Sequence, residues 1–98
     1  MRSMYEIEFL VRAELNRMRR VSHGKSRLSR KYEYIKEWAW ETLLEYVKEH
    51  RDDDPMFVLE RFMKTMEDWQ IEATHEDTKE AFCFAHDIAE NLYDTLVP

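Results

Sequence analysis

The stretch SRKYEYIKEWAWETLLEYVKEHR, residues 29–51, reads as one long helix that is apolar on two sides. One stripe runs Leu28, Tyr32, Ile35, Ala39, Leu43, Tyr46, at the steps of three or four that a core-facing helix shows. A second runs Trp40, Leu44, Val47, more than a right angle around the axis from the first. Trp38 and Trp40 point about 160° apart and are not expected to share one core. A helix with two apolar stripes needs cover from two directions.

The chain on either side supplies material for that cover. Met4 to Val21 reads as a first helix, with Met4, Ile7, Leu10, Val11, Leu15, Met18 and Val21 on one face. Glu14 falls near the middle of that face and is expected to keep its stem packed and its carboxylate wet or paired with an arginine. Tyr5 and Phe9 lie on the opposite side. They are the intrachain candidates to cover Trp40 and Leu44. The alternative is that Trp40, Leu44 and Val47, with Tyr5 and Phe9, form a protein interface, either a homodimer or a partner surface.

Turn signals divide the rest. Gly24, the chain's single glycine, sits where the first helix needs a left-handed C-terminal residue. Ser26 or Ser29 can cap the second helix. Asp54 followed by Pro55 is a strong start signal for a third. Met56, Leu59, Phe62, Met63, Met66, Gln70 and Ala73 share its core face, with Trp69 at the flank. The sequence Asp77, Thr78, Lys79, Glu80 has the spacing of a capping box for a fourth helix, with Thr74 as a competing cap. Ala81, Phe82, Ala85, Ile88, Ala89, Leu92 and Leu96 form its core face, and the three alanines allow close approach of a neighbour.

These elements predict an all-α fold, a compact antiparallel four-helix bundle, as a single domain over residues 1–98. The scarcity of turn formers, one Gly and two Pro, argues against sandwiches and barrels. No apolar run approaches the roughly 20 residues of a membrane span and no signal-peptide core is seen, so no membrane partner is expected. The lone Cys83 permits no intrachain disulfide, which makes a reduced, cytoplasmic setting the expectation.

Charge is distributed unevenly. Residues 1–36 carry ten Lys or Arg against four acids, a net of +6, and residues 37–98 carry five against seventeen, a net of −12. Arg17, Arg19, Arg20, Lys25, Arg27, Arg30 and Lys31 form a cluster with no acid between them. Cations at the start of a helix oppose its dipole, so this end either holds an anion or is neutralised by the acids of residues 67–80. Both readings stand on the sequence.

Enzyme signals are thin. No Gly-rich phosphate loop or nucleophile elbow is present. Glu72 and His75 have the Glu-x-x-His spacing of di-iron bundles, but the motif occurs once, where those proteins repeat it on two helices. His86 and Glu90 stand one turn apart without a second pair. The acids Asp52, Asp53 and Asp54 lack the ligand spacing of a calcium loop. No catalytic residue, cofactor or metal site is expected.

Two stretches carry a resemblance. Residues 54–63 (DPMFVLERFM) and 82–89 (FCFAHDIA) resemble segments of small uncharacterised proteins carried by phages and other mobile elements of Gram-positive bacteria. The resemblance covers the C-terminal half and implies binding to a host or element-encoded protein rather than an activity. The sequence therefore reads as a non-catalytic protein-interaction module. The alternatives are a nucleic-acid-associated regulator using the basic end, residues 17–31, and an acidic inhibitor whose carboxylates imitate nucleic-acid phosphates.

Overall fold

A computed structural model describes residues 3–20 and 27–96, the side chains of 27–30 excepted. Four helices make up the fold: α1 Met4–Arg20, α2 Arg27–Glu49, α3 Pro55–Glu72 and α4 Glu76–Leu96. There is no strand among the described residues. The protein is an all-α four-helix bundle, as the periodicity predicts.

The helix starts follow local chemistry. The Ser3 hydroxyl accepts from the Glu6 N–H at 3.3 Å and caps α1. Asp54 caps α3, its carboxylate accepting from the Met56 N–H at 2.9 Å with Pro55 in the first turn, as expected. The start of α4 corrects the sequence reading. The helix begins at Glu76, and the Lys79 N–H bonds the His75 carbonyl at 3.0 Å. Asp77 therefore lies inside the first turn, and its carboxylate is 2.5 Å from Lys31 Nζ rather than capping. Acids in a first turn still suit the helix dipole.

The helices of each pair, α1 with α2 and α3 with α4, run antiparallel. Along α1 and α2, Arg19 meets Glu37 and Glu41, while Glu8 meets Arg51 just beyond α2. Along α3 and α4, Glu67 meets His86 and Glu60 meets Tyr93. In both pairs the partner's number falls as the residue number rises. The short α2–α3 connection leads one to expect those two helices as close neighbours. Instead α4 is the main C-terminal neighbour of α2, and α3 packs chiefly on α4. The reason is size: Ala39 on α2 and Ala85 and Ala89 on α4 are all fully buried, which permits close helix approach.

The core gathers Ile7 and Val11 from α1, Ala39, Leu43 and Val47 from α2, Val58, Leu59, Phe62 and Met66 from α3, and Ala85, Ile88 and Ala89 from α4. Tyr46 packs edge-on against Phe62 at 5.3 Å, and Trp38 lies 5.5 Å from Phe82. Leu92 and Ile35 are half-buried rather than buried.

Two corrections concern α2. Tyr32 belongs to the core stripe by spacing, yet it is 56% exposed, because neighbouring helices do not enclose α2 at this point. Tyr5 and Phe9 do not cover Trp40 and Leu44. They face water, and α1 turns its other stripe, Met4, Ile7, Val11 and Leu15, inward. That stripe packs on α2, while α1 touches α3 and α4 only marginally. Val47 is fully buried, and Trp40 and Leu44 are half-buried against the core cluster. The expected burial of Leu28 and Val21 lies outside the described side chains.

Candidate interaction surface

α1 presents two faces because it has one close neighbour. Its inner stripe is consumed by α2. Its outer face carries Tyr5 and Phe9 one turn apart, 62% and 70% exposed. Beyond Phe9 the same side bears Arg12, Ala13, Asn16, Arg17 and Arg20, which with Phe9 line an open depression of ≈ 540 Å³. The face is thus aromatic in its first half and cationic in its second. Of the five residues considered for an interface, the structure leaves Tyr5 and Phe9 in water and packs Trp40, Leu44 and Val47 against the core. Arg12, Ala13 and Asn16 were not singled out by the sequence. The signal was their spacing from Phe9, at three, four and seven residues, which places them on one helix side.

Three of the seven basic residues, Arg17, Arg19 and Lys31, are engaged from within. Arg17 bonds Glu14 of its own helix. Arg19 bridges Glu37, at 3.1 Å, and Glu41 on α2. Lys31 reaches Asp77 at the start of α4. Hydrogen bonding to these carboxylates raises the pKa of each cation, Lys31 through Asp77 first of all. One of the expected acidic partners, Asp77, is used, but Arg19 turns to α2 acids instead. Arg20 is exposed. Lys25 lies outside the described residues, as do the side chains of Arg27 and Arg30.

Other polar groups serve the scaffold. Arg51 Nε and Nη2 both donate to Glu8 Oε1, at 2.9 and 2.7 Å, tying the α2–α3 connection to α1. Asp53 lies 3.3 Å from His50 Nδ1. His86 Nε2 sits 3.1 Å from Glu67 Oε1, with Asp87 and Glu90 at 3.5 and 3.7 Å from its Nδ1. Among the described residues no group of three or more His, Cys, Asp or Glu is arranged to hold a metal. Glu72 is the last residue of α3 and His75 precedes α4, so the Glu-x-x-His spacing does not fall on one helical face. Among the described residues no polar or charged side chain is buried. No helix described is long and apolar enough to cross a membrane.

One bond has a pH signature. The Tyr93 hydroxyl donates to Glu60 at 2.7 Å. This hydrogen bond, followed by desolvation, raises the phenol above its ordinary value of 10.0. A raised folded-state pKa favours the protonated form, so the contribution to stability is full below that value and is lost as pH rises through the folded pKa. Spectrophotometric titration is expected to show a late-ionising phenol that disappears in Tyr93→Phe and moves down in Glu60→Gln.

No protein-family model, curated protein or solved structure matches this chain.

Proposed function

We propose that this chain is a non-catalytic protein-interaction module that docks a protein against the outer face of α1. The observation that carries this reading is the exposure of Tyr5 and Phe9 on a helix whose core stripe is already satisfied. Aromatic side chains held in water gain roughly 25 cal/mol per Å² when a partner removes them from it. They are also the side chains that most often anchor interfaces. Beyond Phe9, exposed Arg20 and Arg12, the latter 3.9 Å from Glu8, add a charged border of the kind that steers and orients a partner.

The test is a photo-crosslink at the face itself. Phe9→benzoylphenylalanine keeps an aromatic group at position 9 and forms adducts with whatever sits within reach. The resemblance of the C-terminal half to small proteins of phages and mobile elements makes a Gram-positive cell the place to run it. The expected result is a discrete protein adduct, absent when the same probe replaces the exposed Asn91 on α4. Equal labelling at both positions would refute the reading. Nucleic-acid binding through residues 17–31 is less supported, because Arg17, Arg19 and Lys31 are engaged by carboxylates of the same chain. An adduct with nucleic acid instead of protein would restore it.

A further inference from the structure

We infer that the occupant of the α1 outer face is a second copy of this chain, seated in the acidic groove between α2 and α4. This rests on the reading above and names its partner. The groove is lined by Tyr32 and Ile35 of α2 and by Glu80, Cys83, Phe84 and Asp87 of α4, around a depression of ≈ 230 Å³. It continues past Ile35 into a second depression of ≈ 350 Å³ beside Tyr34, which is 78% exposed. Among the described residues its floor is apolar and its border is acidic at Glu80 and Asp87, with the Lys31–Asp77 ion pair at the far end. The α1 face is the complement, with aromatic residues followed by arginines.

Spacing agrees with charge. Glu80 and Asp87 are seven residues apart on α4, about 10 Å along the axis, and Arg12 and Arg20 are eight apart on α1, about 12 Å. Between the arginines α1 offers Ala13 and Asn16, small enough for one helix to settle over Cys83 and Phe84 of the other, with Arg17 beside them held by Glu14. Phe9 extends beyond the arginines as an apolar anchor for the depressions that Ile35 joins. The contact removes Phe9 from water at one end and fills an incompletely covered part of the bundle at the other. Face and groove belong to different elements, so two copies close as a two-fold dimer where each face reaches the other's groove. Where reciprocal engagement does not fit, the contact closes into a larger ring or continues from copy to copy.

Sedimentation velocity tests this with two charge-reversed variants, each first shown to keep the wild-type circular dichroism. Arg12→Glu/Arg20→Glu makes the α1 face acidic, and Glu80→Arg/Asp87→Arg makes the groove basic. Wild-type protein is expected to gain mass as its concentration approaches about 1 mM in low salt, a range that reveals even weak contacts. It is expected to return to monomer in about 1 M salt, where exposed charges are screened. Each variant alone repels itself and stays monomeric, and an equal mixture of the two associates. Wild-type protein that remains monomeric throughout overturns the inference, as does either variant associating like the wild type. A position-9 adduct with a different protein, together with a monomeric wild type, leaves the interaction reading standing and removes only the second copy.

Discussion

Phe62→Ala is expected to lower the stability of the fold by about 3–5 kcal/mol. Phe62 is fully buried on α3, in contact with the Tyr46 ring at 5.3 Å and inside the cluster that joins all four helices. Truncation removes the ring's transfer free energy and leaves a cavity that close-packed neighbours fill only in part. A domain of this size has about 5–15 kcal/mol in total, so the variant sits near the threshold of unfolding. Urea titration followed by circular dichroism measures the loss. Phe57→Ala on the same helix is the control. Phe57 is 52% exposed, and its removal is expected to change stability by about 0.5 kcal/mol or less.

The second large effect is expected at Trp40→Glu. Trp40 is half-buried and packed against the core cluster. A carboxylate there loses the aromatic contact area and is partly desolvated with no cation provided for it. The expected outcome is an unfolded or strongly destabilised chain at 25 °C, by loss of the helical circular dichroism signal. Trp40→Phe retains most of the apolar contact and is expected to fold. A stable, folded Trp40→Glu monomer that has lost only its partner would place Trp40 at an interface.

Helices and core were legible in the sequence where the cause is local. The Asp54–Pro55 start and the spacing of Leu59, Phe62 and Met66 depend on neighbours three or four positions away, and both appear as read. Val58 is also buried, at the edge of that stripe, where periodicity alone does not settle which side of the border a residue takes. What the sequence did not convey depends on which helix meets which. The exposure of Tyr32 follows from the incomplete cover of α2 near that residue. The pairing of α2 with α4 follows from small residues on both helices that pattern alone does not match to one another.

The interaction face was half legible. Tyr5 and Phe9 stood off the core stripe of their helix, which is visible from spacing. Assigning them to cover Trp40 and Leu44 assumed that the second stripe of α2 required a separate apolar surface. Instead Val47 is fully buried and Trp40 and Leu44 pack on the common core cluster, α1 turns its other stripe toward α2, and Tyr5 and Phe9 stay in water. The ion pairs were less legible still. Arg19 with Glu37 and Glu41, and Arg51 with Glu8, depend on the antiparallel register of α1 and α2, which fixes which charges come opposite one another.

The central claim is that the outer face of α1 is spare to the fold and therefore available to a partner. The unfolding free energy of Tyr5→Ser/Phe9→Ser measures this directly, without knowledge of the partner. Because both side chains are already largely in water, the double variant is expected to stay within about 0.5 kcal/mol of the wild type, the range of ordinary surface substitutions. A loss of about 3 kcal/mol or more, the scale of buried aromatic truncations, would place Tyr5 and Phe9 inside the fold and contradict the account.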